Sequence, residues 1–117
     1  MDIIFSREME RHCRDRRSAV KKWGPEQGRL ILRRIEDIRD ITNLAELRLF
    51  PALWCHELHE NRKGQISIDL KDPFRLIIEP ASDPPTPYKE DGGLDWGRIT
   101  KIRLLEVMDT HDGRIKR

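Results

Sequence analysis

Two stretches in the middle of the chain set apolar and polar residues at a period of two. Ile66-Ser67-Ile68-Asp69-Leu70 alternates strictly, and Phe74, Leu76 and Ile78 fall on one side of the next stretch with Arg75, Ile77 and Glu79 on the other. A period of two is the signature of a strand with one buried face. Lys71-Asp72-Pro73 between them has the chemistry of a turn, so the pair predicts a β-hairpin. Strands in a hairpin lie about 5 Å apart. From this, Arg75 is expected within reach of Arg62, Lys63 and Gln65, forming a cationic corner on a rigid sheet.

Upstream the period changes. Asp2 to Phe5 is short and β-favouring, which predicts a first strand, and Ser6 is suited to cap a helix. Arg7 to about Lys22 reads as one thinly anchored helix, whose apolar residues are Met9, Cys13, Ala19 and Val20. Trp23-Gly24-Pro25-Glu26 breaks it, and Pro25 fits the first turn of a second helix. Leu30, Ile31, Ile35, Ile38 and Ile41 then lay an apolar stripe along 28–41. A short third helix through Leu49, capped at Thr42 or Asn43 and ended by Pro51, turns Leu44 and Leu47 inward. The stretch from Leu53 to Leu58 predicts an edge strand with Trp54 and Leu58 packed. From Pro80 to Arg98 the chain holds four of its seven prolines and three of its seven glycines, which predicts a loop. Ile99 to Met108 returns to strand chemistry, with Ile102, Leu104 and Met108 on one face and Leu105 and Val107 on the other.

The expected architecture is therefore α+β: a small, antiparallel-rich sheet with two or three N-terminal helices packed on one face. At 117 residues it is one domain, residues 1–117, with a Pro/Gly-rich inserted loop at 81–98.

Composition changes this picture little. No apolar run approaches the roughly 18 residues of a membrane span, and Met1 is followed by no charged-then-apolar leader, so a cytoplasmic location without a membrane partner is expected. A net charge of +2 is too small to establish nucleic-acid binding by itself. Between Arg7 and Lys22, however, seven Lys/Arg face three acids, and four arginines follow between Gly28 and Asp40. These are either solvated helix faces or a polyanion-binding stripe.

The candidate chemistry lies around the hairpin. Cys55, His56 and His59 offer three possible metal ligands in five residues, but no Cys-x-x-Cys or second cluster accompanies them, so neither a metal nor any other cofactor is expected. Cys13 and Cys55 are expected to be reduced thiols. Cleavage of RNA by its own 2′-hydroxyl needs a base, an acid for the leaving 5′-oxygen, and cations for the phosphorane charge. His56, His59 and His111 can carry protons near neutrality, and Arg62, Lys63 and Arg75 can stabilise charge. The same histidines also suit ordinary hydrogen-bonded surface positions.

The run L-H-E-N-R-K-G-Q-I-S-I-D-L-K-D-P-F-R-L-I-I from Leu58 to Ile78, together with L-E-V-M-D-T-H at Leu105 to His111, resembles the RelE/ParE superfamily of bacterial toxins, in its HigB-like branch. The resemblance covers about half the chain, and rests on the spacing from Arg62 through Gly64 to Arg75 and on the closing Asp-x-His. It implies a RelE-like fold and a metal-independent, ribosome-dependent endonuclease that cuts mRNA and is silenced by a cognate antitoxin, commonly a helix-turn-helix, HigA-like protein. Carried over by position, it implies catalytic roles for His56, Arg75, Asp109 and His111, and RNA or phosphate contacts from His59, Arg62, Lys63, Gln65 and Thr110. Thr110 stands where the family commonly has tyrosine, His59 where lysine is frequent, and Phe74 where tryptophan is usual. The 81–98 loop and the 112–117 extension are also longer than usual. A gyrase-directed, ParE-like toxin and a degenerate homologue that only binds antitoxin are the alternative functions.

Overall fold

The structure is a computed structural model and describes residues 1–81 and 85–109. Thr110 and His111 lie outside these residues. The element order is β1 (Asp2–Phe5), α1 (Arg7–Cys13), α2 (Arg16–Trp23), α3 (Pro25–Asp40), β2 (His56–Glu57), β3 (Ile66–Asp69), β4 (Phe74–Pro80) and β5 (Lys101–Asp109), with short 3-10 turns between α3 and β2, after β2 and before β5. The strands form one mixed sheet in the order β1-β5-β4-β3-β2. β1 runs parallel to β5 and the other pairs are antiparallel. The α+β expectation holds at this level, and no helix among the described residues is long and apolar enough to cross a membrane.

Local chemistry accounts for the helices. The Ser6 hydroxyl accepts from the Met9 N–H at 3.2 Å, starting α1 as expected. The single helix expected from Arg7 to Lys22 is instead two. Asp15, in extended conformation, caps a new helix by accepting from the Ser18 N–H at 2.7 Å, a local bond that competes with helix continuation. That bond holds the Asp15 carboxyl below its usual range. α3 opens with Pro25 at its first position and buries Ile31, Ile35 and Ile38. Gly28 lies against α2 so closely that a Cβ would meet backbone atoms of Ala19 at 2.8 Å, so the crossing needs glycine there.

The core lies between the helices and one face of the sheet, where Ile66, Ile68, Leu76, Ile78, Ile102 and Leu104 meet Met9, Ile31, Ile35 and Ile38. Leu44 and Leu47 are buried as expected, although their segment is a 3-10 helix. Gln27 ties α3 to the hairpin turn: its amide donates to the Lys71 carbonyl at 3.1 Å and accepts from the Lys71 N–H at 3.1 Å.

Two further expectations are corrected. The strand expected over Leu53–Leu58 shrinks to His56–Glu57, and Trp54 is half-exposed rather than packed. In β5 the register shifts beside Ile77, so that Ile77 faces Glu106 and Ile78 faces Leu104. Leu105 is the extra residue, and parity reverses beyond it. Ile102 and Leu104 thus share the helix side with Val107, while Met108 joins Leu105, Ile77 and Leu58 on the opposite side. In the described part of the 81–98 loop, Tyr88 bridges Leu94, and Leu94 and Trp96 are buried in the core.

Candidate functional site

The sheet face turned away from the helices carries the candidate site. Register places His56 of β2 opposite Ser67 of β3, Ser67 opposite Ile77 of β4, and Asp69 opposite Arg75, which in turn faces Met108 of β5. These side chains share one face because cross-strand partners project to the same side.

Arg75 is the centre of this face. It is 1% exposed, and Nη1 is ion-paired with the Asp69 carboxylate and lies 3.4 Å from the Phe74 carbonyl. Its Nε and Nη2 are buried without a hydrogen-bond partner among the described residues. The guanidinium carbon lies 5.9 Å from the centroid of the Trp54 ring. Trp54 itself is in the left-handed region, at φ 37° and ψ 57°. A bulky residue there costs on the order of 1–3 kcal/mol and persists where surrounding structure imposes it.

His56 stands beside Trp54, with ring centroids 6.0 Å apart. Its Nδ1 is 3.1 Å from the Trp54 carbonyl oxygen. A carbonyl only accepts, so this contact assigns the proton to Nδ1 and leaves the lone pair on Nε2. That Nε2 is buried without a partner among the described residues, as is the Ser67 hydroxyl. Unpartnered buried polar atoms are costly and uncommon. Here they gather on adjacent strands of one face, which is the pattern of a surface prepared for a polar ligand.

The cationic corner expected from the sequence does not form. An antiparallel hairpin sets the beginning of its second strand against the end of its first, so Arg75 meets Asp69, and Arg62 and Gln65 lie at the other end of β3. Arg62 donates to the Gln65 side-chain oxygen at 2.6 Å and to the Glu106 carboxylate at 3.2 Å, which neutralises it locally. Lys63 is exposed, with Nζ 5.6 Å from the centre of the Tyr88 ring. His59 is also exposed; it lines a cavity of about 370 Å³ with Trp54, His56 and Glu57, and a neighbouring one of about 400 Å³ reaching Lys63 and Tyr88. Asp109, the last residue of β5, faces Phe74 and so stands on the helix side rather than beside Arg75.

The structure thus brings His56 and Arg75 onto one face and sets His59 at its rim. It ties Arg62 to Gln65 and to Glu106 and leaves Asp109 on the other side. Trp54, Ser67, Asp69 and Glu106 were missed as members of this face. For Asp69 a signal existed, since the short turn at Lys71–Pro73 puts it opposite Arg75; for Trp54 the sequence carried none. Of the loop aromatics, Trp96 is core, with Arg48 stacked 3.7 Å above its ring, while Tyr88 is half-exposed. Among the described residues no group of three or more His, Cys, Asp or Glu could hold a metal ion. Both cysteines are free, and burial pushes the Cys13 thiol up to about 11 and the Cys55 thiol up to about 12.

Chemically, the face offers an imidazole with an unengaged Nε2, a desolvated guanidinium and an exposed indole able to stack on a base. Comparison of the chain with protein-family models, curated proteins and solved structures finds no match.

Proposed function

We propose that this chain is a HigB-like toxin of the RelE/ParE superfamily, with a RelE-like fold, and that it cuts mRNA on the ribosome. The observation that carries the proposal is the presence, on one sheet face, of His56 with an unpartnered Nε2 and of the enclosed Arg75 guanidinium, each near the Trp54 ring. The residues that resemble the family motif include both His56 and Arg75.

In this reading His56 Nε2 takes the proton of a ribose 2′-hydroxyl as its oxygen attacks the adjacent phosphorus. The new 2′-O–P bond and the breaking P–O5′ bond leave a 2′,3′-cyclic phosphate and a 5′-hydroxyl. Arg75 stabilises the phosphorane charge, most strongly in a site shielded from water. The proton for the leaving 5′-oxygen comes from His111 by family resemblance. An unstacked base rests on Trp54, an interaction worth about 1–3 kcal/mol. The partners are the ribosome with its mRNA, and a helix-turn-helix antitoxin that silences the toxin.

The test is induced expression, with growth followed and 5′ ends mapped on a reporter mRNA made with and without its start codon. New ends that require translation are the expected result. Arrest with intact mRNA would replace this reading with gyrase inhibition, and normal growth with a homologue that only binds antitoxin.

A further inference from the structure

A second chemistry lies on the helical layer, away from the sheet face. A cavity of about 320 Å³ is lined by Arg11, His12, Arg14, Ser18, Lys21 and Lys22, without an acidic residue. It forms where α1 ends and α2 begins, because the Asp15 cap turns the chain and sets the last turn of α1 against the exposed side of α2. Ser18, Lys21 and Lys22 follow one another at helical spacing of three and four, so they share a side of α2.

Among the described residues, seven of the thirteen cations outside this region are ion-paired, while Arg29, Arg33, Arg48, Lys63, Arg98 and Lys101 are not. Arg34, Arg39, Arg62, Lys71, Arg75, Lys89 and Arg103 each form an ion pair. Among the described residues Arg7, Arg11, Arg14, Arg16, Arg17, Lys21 and Lys22 form none. Arg14 turns inward instead, with Nε 3.5 Å from the Ser18 hydroxyl. Burial, and then Lys22 and Arg11, lower the pKa of His12, while Glu8 opposes them. Like charges left close together repel unless an anion joins them.

We propose that this α1–α2 cleft is a phosphate-binding site that receives the phosphodiester backbone of a nucleic acid. The shape favours a backbone over a small phosphate: the cleft is open and exposed, and the basic positions continue past it to Arg7, Arg16 and Arg17. A membrane surface fits less well, because a helix lying in lipid needs an exposed apolar side, whereas Met9 and Ala19 of α1 and α2 are buried in the protein. The site is separate from the sheet face and does not require that face to cut RNA.

The test is binding of the full chain to a fluorescent, 2′-O-methylated RNA single strand, which the proposed sheet chemistry cannot cleave, measured across a salt series. The R11Q/R14Q/K21Q/K22Q variant is compared with R29Q/R33Q/R98Q/K101Q, which removes the same charge elsewhere, after circular dichroism shows both folded. At roughly 0.7 in log–log salt slope per phosphate contacted on a single strand, the cleft variant is expected to bind at least about tenfold more weakly and to lose about 2 to 3 in slope, with the second variant near wild type. Wild-type affinity in the cleft variant would overturn the proposal, as would equal losses in both variants. Displacement by inorganic phosphate at the same phosphate concentration as an unlabelled strand would also overturn it. So would binding to anionic vesicles without binding to the strand.

Discussion

The two faces of the sheet are built from the same strands and are buried to similar extents, yet they contain different chemistry. On the helix side Ile66, Ile68, Leu76, Ile78, Ile102 and Leu104 are all 0% exposed and apolar. On the other side Ser67 is 0% and Arg75 1% exposed, and the surrounding apolar patch is only Leu58, Leu105, Ile77 and Met108. Arg75 and Leu76 are neighbours in sequence and equally enclosed. The buried strand residues of one face are wholly apolar, although Trp96 Nε1 in the core beside them lacks a partner among the described residues; the other face holds a guanidinium, an imidazole and a hydroxyl with unused hydrogen-bonding capacity. Burial alone does not mark a functional face; what distinguishes this one is that unpartnered polar atoms of His56, Ser67 and Arg75 gather on three adjacent strands, whereas those of Arg34, Asn43 and Trp96 belong to other elements.

The contrast can be broken most forcefully at Asp69. Asp69→Ala leaves the Arg75 guanidinium buried without its carboxylate and is expected to cost about 3–5 kcal/mol in urea unfolding. Removing both charges, as R75M/D69N, is expected to be within about 1 kcal/mol of wild type or more stable, because the pair is held against its own desolvation. On the helix side Leu76→Ala only opens a cavity, with an expected loss of about 2–5 kcal/mol and no charge variant that compensates.

A smaller effect is expected at Ser6, which is bonded to β5 where that strand changes faces. Its hydroxyl donates to the Leu105 carbonyl at 2.8 Å, at the bulge, while accepting from Met9 N–H. Ser6→Ala should cost about 1–2 kcal/mol. Trp54→Gly relieves the left-handed backbone and is expected to raise stability by up to about 1 kcal/mol while RNA cleavage falls, a separation of stability from function confined to the open face.

The smallest effect is at Cys55, which packs against the helix-side core. Burial, with a further contribution from Asp69, raises its thiol from 9.0 to about 12. The sign follows from the folded protein holding the proton longer than the unfolded chain. The stability gained is whole below pH 9.0 and is lost as pH rises toward about 12. Alkylation of native protein at mildly alkaline pH should accordingly be much slower at Cys55 than in urea.

Much of the fold was legible in local pattern. The alternation at Ile66–Leu70, the Lys71–Pro73 turn, the Ser6 cap and Pro25 at the start of α3 each fix structure through a few adjacent residues. What escaped depended on competition or distance. Asp15 breaks a helix whose two halves have similar composition, and the Leu105 bulge arises from pairing with β4 rather than from anything in β5 itself. The site was legible in part for the same reason. His56 and Arg75 carry recognisable chemistry, but the ion pairing that removes Arg62 from the site comes from Glu106, 44 residues away. Trp54 acquires its position from backbone geometry that no neighbouring residue announces.

The most direct test of the open face as the working surface is to map translation-dependent 5′ ends on a reporter mRNA in cells expressing wild type or R75M/D69N at equal level, with folding of the variant verified by its unfolding midpoint. The expected result is cleavage by the wild type and none by the folded variant. Equal cleavage by both would contradict the assignment of Arg75, and with it the reading of this face as the site of phosphate chemistry.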